Sequence, residues 1–309
     1  MLDKNPFSIF DFLGYVLPGM TSMYFSILFF NYDFDYSLFE NSLMLCKDYN
    51  FASLIFLVIT SYIVGHIISY LSSISVEKFS IWCYGYPSDF LITDPIKHRF
   101  LYAFSVEKCN SMGEKLKEAC KVWYKYLWRL VVTIAMLPLA IFTFFASLTG
   151  LKYFYIKKLD DYLIAQYEWK WSKLIKYLGL IKPNEESSDF HRIIYHYSYE
   201  YFPQHAKKSN NYVALYDFLR AMCFIMIIVT EFMFYFYFKK RSHVLFYYSL
   251  LALAIQYILF MAFMKFYRRF TLESIMCIII SQNIKDVNLA HSECLHFYTS
   301  TDDITRDSI

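Results

Sequence analysis

The chain has 309 residues, of which 57% are hydrophobic and 22% aromatic, with thirty Tyr and thirty-two Phe but only seven Gly and seven Pro. Ordinary soluble domains hold about 45–50% apolar residues, so the composition argues against one and for a protein with much membrane and interfacial surface. The net charge of +3 is too small to argue for nucleic acid, and seven cysteines without a CxxC spacing argue against a disulfide framework, which makes the soluble parts cytosolic in character.

Asp3 and Lys4 stand near the start, without a basic n-region or a small-residue cleavage site, so the first apolar segment is expected to remain as an anchor. Phe10–Phe30 is the first candidate span. Gly14 and Pro18-Gly19 are expected to kink it or thin its waist, and Asp11 stands where a carboxylate complements a helix N-terminus. The loop over 31–50 is acidic, with Asp33, Asp35, Glu40 and Asp48 against Lys47. Phe51–Leu71 is the second span and carries Thr60-Ser61 and Gly65-His66. Its serine-rich exit (Ser72, Ser73, Ser75, then Glu77) reads as a helix restart with an N-cap.

The chain then turns polar to residue 127, with a helical pattern from Ser105 to Trp128. Arg129–Gly150 is again apolar, broken by Pro138, and an amphipathic pattern covers 151–188. A His- and Tyr-rich stretch, Phe190–Asn211, leads into Leu219–Phe238. This apolar run is about the twenty residues that an α-helix needs to cross hydrocarbon, and Lys239, Lys240 and Arg241 follow it. Val244–Met264 is the last span, closed by Lys265, Arg268 and Arg269, and the tail holds one short apolar run, Ile275–Ile280.

The fold class is therefore all-α: a polytopic helical membrane protein with four transmembrane helices, or five if 129–150 crosses, plus a helical cytosolic domain. Residues 1–72 form the first transmembrane hairpin. Residues 73–218 form the cytosolic domain, in which 129–150 is buried, re-entrant or spanning. Residues 219–264 form the second hairpin and 265–309 the cytosolic tail. Charge favours four crossings. With both termini inside and 129–150 not crossing, 26 of 30 Lys and Arg fall inside, whereas five crossings leave 13, or 17 when inverted.

Glu231 does not suit its surroundings. It lies slightly past the middle of the 219–238 run, where an ionised carboxylate facing lipid costs several kcal/mol, so it either bonds a neighbouring helix or lines a water-filled path. Its helical neighbours Ile227, Ile228, Phe234 and Tyr235 offer no ion pair. Gln256 on the next span is the most economical hydrogen-bond partner; in a homo-oligomer the single Glu231 would instead become a ring, as in cation-selective pores. Thr230 and His66 are further pore or gating candidates, and the acidic loop would raise the local cation concentration at the outer mouth.

Arg192, His196, Lys207 and Lys208, interleaved with Tyr195 and Tyr199, could bind a nucleotide or oligonucleotide, or contact anionic lipid. His291, Glu293, Cys294 and His296 lack metal-site spacing, so no metal and no cofactor is expected. GxSxG, HExxH, GxxxxGK[ST] and GxGxxG are all absent, so no catalytic residue is assigned and the chain is read as a non-enzyme.

The layout, the acidic residue Glu231 in a late span and aromatic-rich stretches such as NPFSIFDFLGYVLPG and YIVGHIISYLSS resemble the multi-pass membrane effectors of bacterial anti-phage defence systems, such as the Hailong effector. The resemblance implies a homo-oligomer, taken as a tetramer, in the bacterial inner membrane. Opening would depolarise the host membrane, and a cytosolic surface would bind a nucleotide or DNA-oligomer signal made by a partner enzyme. The functional expectation is an oligomeric, cation-conducting channel-like effector. The alternatives are a membrane-embedded enzyme at the lipid interface and a structural membrane scaffold.

Overall fold

The computed structural model describes residues 11–30, 51–92, 112–179 and 190–281. Among them every regular element is a helix. Four are long and apolar enough to cross a membrane, and a fifth crossing arises only if one sharply bent pair counts as a span. The acidic loop over 31–50 and the 291–296 group lie outside the described residues.

The chain divides into two compact units, one of residues 1–157 and 210–269, the other of 158–209 and 270–309. In the first unit a π-turn, Phe12–Val16, leads into α1 (Leu17–Phe30). α2 (Phe51–Ser72) packs against α1 backbone to backbone. A Cβ at Gly19 would run into the Ser61 carbonyl, and one at Gly65 into the Tyr15 carbonyl. Lipid tails are as apolar as side chains, so such close small-residue packing, rather than water exclusion, holds membrane helices together.

α2 does not restart after Ser72. It runs through a π-turn, Ser73–Glu77, into α3 (Lys78–Tyr84), and neither π-turn nor α3 has a side-chain cap. Ser72, Ser73 and Ser75 instead donate back to the carbonyls of Ser69, Tyr70 and Leu71. The capping role expected of this stretch is therefore not the one it plays. α3 ends at Gly85, whose φ of 82° no L side chain adopts comfortably, and α4 (Pro87–Ile92) follows.

α5 (Met112–Ala135) and α6 (Leu137–Leu148) form an elbow bent by 91° at Met136. Pro138 explains the break: it has no N–H to give α5, yet fits the first turn of α6, where none is needed. The apolar 129–150 segment is thus two short legs and not a straight helix. Tyr84 and Tyr155 share a buried hydroxyl contact of 3.0 Å, and the Arg268 guanidinium donates to the Lys157 carbonyl at 3.0 Å.

The second unit holds α7 (Asp161–Tyr177), α8 (Phe190–Tyr201), the start of α9 (Pro203–Lys240) and the end of α10 (His243–Ile280). Leu174, Ile194, Ile275 and Ile278 form its apolar interior. Lys170 donates to the Ser281 carbonyl at 2.6 Å, and Glu273 takes His205 at 2.6 Å and Lys208 at 3.8 Å.

In the first unit α9 is the central helix. Half of its apolar window is buried, against 17–28% for the other three candidate spans. Ala221, Ile225, Met226 and Val229 pack with Ile68 of α2 and Ala252 of α10. α9 and α10 run antiparallel there, with Tyr216 beside Phe263, Cys223 beside Gln256 and Tyr237 beside Phe246.

Candidate functional site

Glu231 lies on the outer face of α9. It is exposed, on one face with Tyr235 and Phe238, and among the described residues nothing donates to its carboxylate. At 1.5 Å per residue it stands about 12 Å below Lys239 and about 16 Å above Arg220. The apolar stretch between those two charged levels is about 28 Å, close to one hydrocarbon thickness.

Gln256 does not meet it. The antiparallel register sets Gln256 level with Cys223, which is about 12 Å down the helix from Glu231. Gln256 is buried, and neither amide atom has a hydrogen-bond partner among the described residues. The hydrogen bond expected between them within one protomer is not made. The sequence placed the two at similar depths because each is near the middle of its own run, but the offset of the two helices separates them.

Thr230 is fully buried and donates to the Met226 carbonyl at 2.7 Å, so it lies toward the core and not on the Glu231 face. His66 is exposed. Its ring stacks on Tyr15 at 3.8 Å and meets the edge of Tyr62 at 4.5 Å, held by the close approach of Gly65 to the π-turn that precedes α1.

The strongest polar constellation lies at the other end of the apolar stretch. Arg220 is buried, and its guanidinium pairs with Glu77, with Asp217 Oδ1 at 2.8 Å and with Ser72 Oγ at 3.2 Å. Five residues separate Ser72 from Glu77 in sequence. On an α-helix they would point about 140° apart, whereas the i→i+5 closure of a π-turn makes five residues about one turn. The π-turn Ser73–Glu77 therefore brings both onto one face, where Arg220 takes them together. Tyr267 of α10 lies within electrostatic reach of Glu77 and Arg220.

A buried arginine needs such partners, because desolvation otherwise outweighs its attractions. With both carboxylates ionised, the group keeps one surplus negative charge. The sequence signal for it was present: Arg220 opens an apolar run and requires a partner. What was missing was the register change that brings Glu77 round.

In the second unit Arg192 and His196, one turn apart on α8, are exposed, as are Lys207 and Lys208 at the start of α9. Lys208 is drawn to Glu273. His191, on the same helix, is largely buried against Phe270 with Nε2 unbonded among the described residues, and burial pushes its imidazole down to about 4. Among the described residues no group of three or more His, Cys, Asp and Glu could hold a metal ion.

No protein-family model, curated protein or solved structure matches the chain.

Proposed function

We propose that the chain works as a homo-oligomeric, channel-like membrane effector in which Glu231 from each copy lines a cation path. The observation that carries this reading is the exposed Glu231 carboxylate in the apolar stretch of α9, with no partner among the described residues of its own protomer. At membrane depth such a group is expected to face a bundle interior or water and not lipid. With Gln256 buried elsewhere, a second copy of the same helix is the simplest source of that interior.

The input is a nucleotide or oligonucleotide signal, or a partner protein, taken up on the cytosolic side by the exposed Arg192, His196, Lys207 and Lys208. α9 carries both Lys207 and Glu231, so one helix links input to path. Opening depolarises the bacterial inner membrane.

The test is cation flux through the purified protein in liposomes. Glu231→Gln is expected to change conductance or cation preference while leaving the yield of folded protein intact. Flux and preference identical to the parent would overturn the proposal.

A further inference from the structure

We infer that the protein holds an anionic phospholipid in a groove between α1, α2 and α9, with its acyl chain against the apolar wall and its phosphate at Lys239 and Arg241. The groove is lined mainly by apolar side chains, among them Phe29, Ile225, Phe232 and Phe236, with Ser22 and Ser26 on the α1 wall. The Ser26 hydroxyl is turned back onto the Ser22 carbonyl at 2.8 Å, which leaves little polar demand in the groove. Phe29 stacks on Phe232 at 5.1 Å, so an aromatic pair joins the α1 and α9 walls.

The groove does not stop at random. Lys239 lies three residues beyond Phe236 and seven beyond Phe232, so all three share one face of α9. Its place on the helix is about one turn, ~5 Å of rise, past the last apolar lining residue. An apolar trough continued by a cation is the complement of an acyl chain continued by a phosphate.

Arg241 adds a second sign. It is the one residue other than glycine with a positive φ, 53°, among the described residues, and it closes α9 by donating its N–H to the Tyr237 carbonyl at 2.8 Å. Glycine or asparagine usually fills that left-handed position, so an arginine there carries a backbone penalty. Its charge gives a reason for the choice. Among the described residues no carboxylate neutralises Lys239 or Arg241.

The occupant is a phospholipid and not a soluble phosphate, because the groove lies within the apolar stretch of α9 while the cations lie at its end. Basic groups at a membrane surface each favour anionic lipid about fivefold.

The experiment is native mass spectrometry of the full chain in mild detergent with phosphatidylglycerol or phosphatidylcholine of identical acyl chains. The parent is expected to retain phosphatidylglycerol about thirtyfold better. Lys239→Gln/Arg241→Gln should erase that preference while both lipids still bind, and Ser26→Phe, which fills the groove, should weaken both. Glycerol 3-phosphate should not displace the lipid. Equal retention of the two lipids by the parent, a preference that survives the double substitution, unchanged binding to Ser26→Phe, or displacement by glycerol 3-phosphate would each overturn the assignment.

Discussion

Arg220 on α9 and Ser72 on α2, 148 positions apart in the chain, are joined by a hydrogen bond from Nε to Oγ of 3.2 Å. It forms because the π-turn after Ser72 rotates Glu77 onto the same face, so the guanidinium satisfies a hydroxyl and a carboxylate of one helix together with Asp217 of its own. The two helices are thereby locked at one end of the apolar stretch, about 16 Å from Glu231.

Removing the cation should be more damaging than removing one anion. Arg220→Met leaves Glu77 and Asp217 facing one another without a counter-charge and is expected to destabilise by about 3 kcal/mol. Glu77→Gln leaves Arg220 its Asp217 and Ser72 contacts and should cost about half as much. The double substitution should cost less than the sum, since the groups are coupled. Detergent-solubilised unfolding curves of the four proteins check this; strict additivity would argue against a shared ion cluster.

The α1–α2 crossing predicts a contrast between glycines in the same helix pair. Gly65→Ala places a methyl against the Tyr15 backbone, which cannot rotate away, and should cost about 1–3 kcal/mol. Gly14→Ala meets nothing within 4 Å and should be neutral. Thermal stability of the two variants, measured side by side, separates close packing from a general dislike of alanine. His66 should report the same event, because moving the π-turn before α1 away removes Tyr15 from its ring.

His191 supplies a pH dependence for its own unit. Burial lowers its imidazole from the ordinary 6.5 to about 4. Between those values the unfolded chain binds a proton that the folded unit refuses, so stability should fall as pH drops from about 6.5 to about 4 and be fully present above 6.5. Fluorescence of Trp169 and Trp171 on α7 should register the loss, and His191→Phe should flatten it. A parent whose unfolding midpoint is constant over that window would contradict the buried, neutral assignment.

Much of the fold is legible in the sequence because span length and apolarity are local properties. The runs at 219–238 and 244–264 fall inside α9 and α10, and Pro138 marks the elbow within two residues of its break at Met136. What was not legible depends on register between helices. A π-turn adds one residue to a helical turn without changing composition, so Glu77 read as part of a cap. Glu231 and Gln256 each sit mid-run, and only the antiparallel offset through Cys223 sets them on different levels. Gly19 and Gly65 were visible as small residues, but not the carbonyls that they approach.

Oxidative crosslinking of Glu231→Cys in membranes, in a background with the seven native cysteines replaced, tests the oligomeric path itself. If Glu231 meets its own copies around an axis, oxidant should convert most of the protein to a disulfide-linked dimer, and a cysteine at the buried Thr230 should give none. No crosslink at position 231, together with a monomer in mild detergent, would contradict the oligomeric path.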